Sequence, residues 1–344
     1  MDFGKEFALF VLFVQRWRVV MVRSQPKVSV IVAVYNGAQY LAQCLDSLIN
    51  QTLAEIQIII VNDGSTDRSA SIIEHYCEQF PHRCEQVILS KRSGLSCARN
   101  MGMSKAKGEF IGFLDSHCYA HSTMFEKLHY TATSENSDMA FCHLTQASTI
   151  AANKHYDRVD ISTHYLNVFI TNKIFRRSVI EKNKVFFFPN TEFEDQAFNY
   201  LISSYANSVA YVEDFLLFYC QKEKISDERH EHLTKMSDML LLLMKDMEYR
   251  GILEKNKSKM LEYIAHHALT SSYSSSAYRD TSAFILFLFD LVKKYNLRDS
   301  KKSKPSTYVI QRFYDVSRNP ILRFSNYFMV NSSRRMMKLR HNMA

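Results

Sequence analysis

VSVIVAVYN (Val28–Asn36), IIIVNDGSTD (Ile58–Asp67) and a third run ending in FLDSHC (Phe113–Cys118) share one design. Each is an apolar stretch of strand length, rich in β-branched or aromatic residues, that ends in polar or acidic ones. Between the second and third lies a Gly/Arg/Asn segment, GLSCARNMG (Gly94–Gly102). Working outward, strands are expected over Val28–Val34, Gln57–Val61, Gln86–Leu89 and Phe110–Leu114, with helices over Ala38–Asn50, Asp67–Gln79 and Ser93–Ala106. Such alternation predicts βαβ units on a mostly parallel sheet flanked by helices. In open α/β sheets ligands bind outside the carboxyl ends of the strands, so the polar ends should converge on one crevice. Carboxylates and a His in that crevice suit a metal-bound, multiply charged ligand.

Beyond residue 120 the pattern is mixed, with strands expected near Met139–His143 and Ser208–Tyr211. From about Asp227 apolar residues recur at helical spacing (Leu233, Met236, Leu240, Leu243, Met244, Met247), and the Ser-rich stretch Ser271–Ser276 reads as a loop between helices. The expected organisation is an N-terminal extension over 1–25, an α/β domain over 26–230 and a helical, basic region over 231–344. Residues 1–22 carry an acidic first turn and no small-residue cleavage site, which argues against a signal peptide. Met21 as the true start and an amphipathic extension are both compatible with that stretch.

At 344 residues and 47% hydrophobic content the chain can bury a large core in more than one domain. Seven Cys, an odd number without C-x-x-C spacing, fit a reduced, cytoplasmic protein. The longest apolar runs, Phe7–Val14 and Ala283–Phe289, fall short of the roughly 20 residues that span a bilayer. Net charge is +8; residues 301–344 hold ten Lys/Arg against Asp315 alone, or +9, so this tail carries the whole excess. Such a tail suggests an anionic surface as partner, with peripheral contact at the inner membrane face, or is merely solvated. Aromatics interleaved with its charges favour a membrane surface over a disordered tail, and no nucleic-acid motif is visible. A dinucleotide oxidoreductase lacks its G-x-G-x-x-G here, and phosphoryl transfer lacks a P-loop.

The order and wording of these segments, from Pro26 to Ser226, resemble the bacterial family-2 glycosyltransferases, which have the GT-A nucleotide-diphospho-sugar transferase fold. The resemblance implies that Ala33, Val34, Tyr35 and Asn36 line a nucleotide pocket and that Asp63 of NDGSTD reads the uracil edge of a UDP-sugar. Asp67 or Thr66 would cap the helix that follows. GLSCARNMG is similar to the family's G-x-x-x-A-R-N-x-G segment. Arg99 is then a candidate partner for the diphosphate, its fork matching phosphate oxygens, or else the partner of a nearby acid. Gly94, Ala98 and Gly102 look like close-packing positions.

The family's usual Asp-x-Asp is replaced by Asp115-Ser116-His117. Asp-x-His within FLD-x-HC also resembles the animal polypeptide GalNAc-transferases. Imidazole is an acceptable ligand for Mn²⁺, so Asp115, at the ribose or the metal, and His117 remain candidates to hold Mn²⁺ or Mg²⁺, with Ser116 beside the donor. A degenerate site in a silent sugar-nucleotide-binding or assembly protein is the competing reading. His230 and His232 are weak candidates for a third ligand.

FFFPNTEFEDQAFNYLI (Phe186–Ile202) brings Glu194-Asp195 to an expected helix start. The resemblance implies Asp195 as general base, with Glu194 orienting substrate or helix. TNKIFRRSVI (Thr171–Ile180) is similar to a segment that shapes the acceptor side, which makes Lys173, Arg176 and Arg177 candidates to steady an acidic acceptor or plain surface charges. YCQKEKIS (Tyr219–Ser226) corresponds to the close of the family's catalytic domain. The implied activity is inverting, metal-dependent transfer of a hexose or N-acetylhexosamine from a UDP-sugar to a glycan or lipid-linked acceptor in capsule or lipopolysaccharide synthesis.

Overall fold

The computed structural model describes residues 25–146, 169–219, 229–273 and 278–297. The first strands follow the expected order: β1 (Val28–Val34), β2 (Ile56–Asp63), β3 (Cys84–Leu89) and β4 (Phe110–Phe113). Between them run α1 (Ala38–Ile49), α2 (Ser69–Gln79) and α3 (Leu95–Lys105). Next come β5 (Cys118–Ala120), α4 (Met124–Ser134), β6 (Met139–Gln146), β7 (Lys173–Arg176) and α5 (Arg177–Lys182). The remainder is α6 (Glu194–Tyr205), β8 (Val209–Tyr219) and three long helices, α7 (Arg229–Tyr249), α8 (Leu253–Tyr273) and α9 (Tyr278–Lys294).

All eight strands form one sheet, in the order β3-β2-β1-β4-β7-β6-β8-β5. The half β3-β2-β1-β4 is parallel throughout, as the alternation predicts. Beyond it the sheet is mixed: β7 pairs antiparallel with both β4 and β6, and β5 pairs antiparallel with β8, while β6 and β8 are parallel. The fold is α/β with C-terminal helices. β1 and β2 are buried almost end to end, as strands covered on both faces must be. Their polar members are satisfied internally. Ser29 Oγ donates to Gln57 Oε1 at 2.6 Å, and Gln57 Nε2 donates to Glu85 and to the Lys105 carbonyl. β3, at the sheet's edge, is buried only at Cys84 and then alternates half-buried and exposed positions.

Helix α1 buries Leu41, Cys44, Leu45 and Leu48, one stripe at i, i+3, i+4 and i+7. Helix α3 lies close on the sheet at Gly102, where an added Cβ would meet Ile31 Cγ2 at 2.4 Å.

The described residues divide into two compact units. The first holds 25–146, 171–178 and 208–219, which is the sheet with its helices. The second holds 169–170, 179–207, 229–273 and 278–297. The chain-order boundary expected at 230/231 therefore differs from the grouping of contacts, which sets 179–207 with the long helices. In that unit Phe187 and Phe198 stack at 4.2 Å, and Met236, Leu240, Leu243, Met244 and Met247 are buried at the expected spacing. The loop expected over Ser271–Ser276 is corrected in part: residues 271–273 continue α8, since the helix propensity of Ser is only mildly unfavourable. Residues 274–277, the basic tail 301–344 and the extension 1–24 lie outside the described residues. No described helix is long and apolar enough to cross a membrane.

Candidate functional site

The carboxyl ends of β1 and β2 are tied to each other by polar bonds. Asn36 takes a left-handed conformation, φ 49°, which Asn tolerates better than most residues. From there its Oδ1 accepts the Thr66 N–H at 2.8 Å, while its own N–H donates to Ser65 Oγ. The Gly37 N–H donates to Ser69 Oγ. Asp67 serves two helices at once: Oδ1 accepts the Ser69 N–H at the start of α2, and Oδ2 accepts the Ala38 N–H at the start of α1. A side chain from neither helix's own N-cap does this work. Burial alone would raise the Asp67 carboxyl, but hydrogen bonds from Ser69 and Ala38 outweigh it and hold the group below its ordinary value.

A third loop joins through Asp63. This carboxylate is buried at the end of β2, and its two oxygens accept the N–H groups of Ser93 (2.6 Å) and Gly94 (2.9 Å). In the structure, then, Asp63 holds backbone. Gly64 sits at φ 68°, and a Cβ there would lie 2.6 Å from the Arg92 nitrogen, so the close approach of the two loops needs glycine. Gly94 corrects an expectation: nothing lies within 4 Å of its would-be Cβ, and its φ of 92° is what requires glycine. Tyr35 is exposed at the mouth of this cradle, with the Arg92 guanidinium 4.2 Å over its ring. Ala33 is half-buried and Val34 buried beneath it.

After β4 the chain turns sharply. The Cys118 N–H donates to the Asp115 carbonyl at 2.8 Å, closing a four-residue turn that gathers the side chains of 115, 117 and 118. Among the described residues, Asp115, His117 and Cys118 form a group whose ligand atoms all lie within 4.8 Å of one another. An oxygen, a nitrogen and a sulfur donor in one turn fit a divalent cation. Ser116 packs against Gly37, where an added Cβ would meet its Oγ at 2.9 Å.

Arg99 is buried on α3 and donates to Asp115 Oδ1 at 2.9 Å, so of its two expected partners the structure shows the acid. Behind the turn, the Cys44 thiol of α1 donates to the Asp115 carbonyl at 3.6 Å. Burial, then neighbouring Cys118 and Asp115, push that thiol well above its ordinary pKa. Ser47 of the same helix and Gln51 just beyond its end hold the residues that follow, through the Ala120 N–H and the His121 carbonyl.

Asp195 and Glu194 open α6 in the second unit, both half-buried, as the helix-start expectation placed them. Phe193 before them has φ 60°, a strained value for an aromatic residue. Asp195 Oδ1 accepts the Gln196 N–H at 2.8 Å, and its charge adds to burial in raising the Tyr263 hydroxyl. A cavity of about 330 Å³ in this unit, lined in part by Glu192, Lys235, Asp238, Leu241 and Leu242, includes neither residue.

The acceptor-side cations divide. Arg176 donates to Glu109, and Arg177 to the Gly108 carbonyl, both at the amino end of β4 and away from the crevice. An acceptor role for these two is corrected by that placement. Lys173 is fully buried and donates to Asn172, so it is no surface charge either. His230 and His232 fall on α7, outside the residues whose side chains are described, and 220–228 lie outside altogether. Sequence reasoning missed Cys118, Cys44 and Arg92; the Cys directly after His117 was the available signal.

Residues 29–192 match the family described as Glycosyl transferase family 2. A putative glycosyltransferase, EpsH of Bacillus subtilis, is 37% identical over 212 residues, covering 56% of this chain and 60% of EpsH. An uncharacterized glycosyltransferase of Haemophilus influenzae is 31% identical over 182 residues, covering 51% of this chain and 71% of the relative. The chain thus spans somewhat less than two thirds of the length of EpsH. Among solved structures, S. aureus TarS 1–349 in complex with UDP-GlcNAc superposes with a TM-score of 0.64 at 20% identity, covering 90% of this chain and 92% of TarS. That likeness is one of fold.

Proposed function

Because the chain belongs to glycosyl transferase family 2, we propose that it is an inverting transferase moving a hexose or N-acetylhexosamine from a UDP-sugar to a glycan or lipid-linked acceptor of bacterial surface polysaccharide. The observation that carries this reading is the gathering of loops at the carboxyl ends of β1, β2 and β4. Three interlocked loops there end beside a turn that groups Asp115, His117 and Cys118. TarS, which shares the fold, was solved with UDP-GlcNAc, which supports a uridine donor.

In this reading Tyr35 offers its ring face to the base, and Asn36 and Asp63 keep the loops around it in place. Asp115 and His117 would hold a divalent cation, which when bound supplies positive charge opposite the diphosphate. Arg99 fixes the Asp115 carboxylate and adds its own charge to that region. Asp195 takes the proton of the acceptor hydroxyl as its oxygen bonds to the anomeric carbon, while the bond from that carbon to the diphosphate oxygen breaks and UDP departs. A single displacement inverts the anomeric configuration. Glu194, next to the base at the head of α6, orients it or the acceptor.

The test is a panel of UDP-sugars with Mn²⁺ or Mg²⁺, an envelope glycolipid extract as acceptor, and detection of UDP and labelled product. Transfer from at least one donor is expected. Asp195→Asn should retain donor binding and lose transfer by at least about a hundredfold. Donor binding without consumption under every condition would establish the silent sugar-nucleotide binder instead.

A further inference from the structure

We infer that Cys118 is the third protein donor of the Asp115–His117 site, and that the site binds a thiophilic divalent cation of the zinc class in the absence of nucleotide. This rests on the proposed location of the cation but not on the transfer reaction. A site with two protein ligands depends on the diphosphate to complete its coordination. Here one tight turn supplies a carboxylate, an imidazole and a thiol whose donor atoms already lie within 4.8 Å of one another. Metal–ligand bonds of about 2.0 Å to nitrogen or oxygen and about 2.3 Å to sulfur put tetrahedral donors about 3.3–3.5 Å apart. A side-chain adjustment of about 1 Å closes the set around an ion.

The turn itself is held from three sides. Its Cys118 N–H to Asp115 carbonyl bond sets the backbone, Arg99 fixes the carboxylate, and β5 carries Cys118 into pairing with Tyr219 of β8. Three protein donors of mixed type with a further position open to oxygen is the pattern of a reactive zinc site. Sulfur shifts preference away from Mg²⁺, which takes oxygen ligands and keeps its waters. Cys44 is not in that donor group: its thiol lies behind the turn, against the Asp115 carbonyl from within α1.

The experiment titrates Co²⁺ into the full chain, free of nucleotide and under reducing, anaerobic conditions. A sulfur-to-cobalt charge-transfer band in the near ultraviolet should rise to one equivalent. Stoichiometric Zn²⁺ should displace it and a large excess of Mg²⁺ should not. Cys118→Ser and Cys118→Ala should each lose the band while keeping the wild-type circular dichroism, and Cys44→Ser should keep it. Cobalt binding without a sulfur band, or a band that survives both Cys118 substitutions, overturns the inference. Sugar transfer is assayed separately. A chain that shows the band yet consumes no donor keeps this inference and loses the transferase reading, and the reverse result separates them the other way.

Discussion

Asp63 holds two backbone amides at once, and both belong to the segment that leads into α3. Removing an acceptor from a buried donor costs more than making the bond gains, because the donor keeps its desolvation penalty. Asp63→Ala leaves the Ser93 and Gly94 N–H groups without their partner, and Asp63→Asn sets an amide N–H against one of them. Each should destabilise the protein by about 1–3 kcal/mol, read as a lowered urea midpoint, and should weaken UDP-sugar binding through the loosened loop. A mutant with unaltered stability that still lost all donor affinity would instead mark Asp63 as a direct contact to the base. A carboxylate at a strand end reads the same in sequence whether it meets a ligand or a loop, because its partners are some 30 residues away. For Arg176 and Arg177 the ambiguity was of another kind. Which end of the sheet they occupy depends on β7 running antiparallel to β4, and nothing local in KIFR reports strand direction.

The close packing of α3 on β1 makes a sharper test at the level of elements. Alanine in place of a helical glycine normally gains about 0.8–1 kcal/mol of helix propensity. At Gly102 the new methyl would sit 2.4 Å from Ile31 Cγ2 and 3.3 Å from Val61 Cγ2, and overpacking of this kind costs about 1–3 kcal/mol. Gly102→Ala should therefore be destabilising on balance, by about 0–2 kcal/mol, against the sign that propensity gives. Gly64→Ala should lose more. Its Cβ would strike the main chain at Arg92 and Lys91, which cannot rotate away, and its φ of 68° is unfavourable as well. Thermal denaturation of the two variants ranks them; equal losses would mean that α3 yields no more easily than the Lys91–Arg92 backbone. These elements were legible where local chemistry is strong. Val/Ile runs set β1 and β2 to within a few residues, and the i, i+3, i+4 stripe set α1. β5 was not, since three residues show no period; β6 and β8 were expected near their places, but β7 and the pairing among the three were not, since that pairing joins residues far apart in the chain.

For the molecule as a whole, acid sensitivity should come from imidazoles that burial keeps neutral: His129 and His143 in the first unit and, with the largest shift, His267 in the second. His267 on α8 is 6% exposed, with its ring edge-on to Tyr263 at 4.5 Å and near His266 at 5.8 Å. Burial, then the neighbouring His266, drives its pKa from 6.5 down to about 3. Burial lowers His266 as well. In the unfolded chain these imidazoles take up protons near 6.5, whereas in the folded chain His267 stays neutral down to about 3. Between those limits the unfolded state binds more protons, so stability rises with pH and is lost on acidification, by at most about 1.4 kcal/mol per pH unit for each such group. The Asp67 clasp of the first unit acts lower: its stabilisation is present above the ordinary carboxyl value of 3.8 and disappears as pH falls through its depressed folded value. Urea midpoints measured from pH 7 to pH 4.5 should therefore fall steadily while Asp67 is still ionised. His267→Phe, which keeps a ring of similar size against Tyr263 and cannot be protonated, should reduce that slope over the whole range from about pH 6.5 to about 3. A slope unchanged by His267→Phe would place the acid-labile group elsewhere, and a flat profile in the parent protein would mean that His267 is solvated in a way its burial on α8 does not allow.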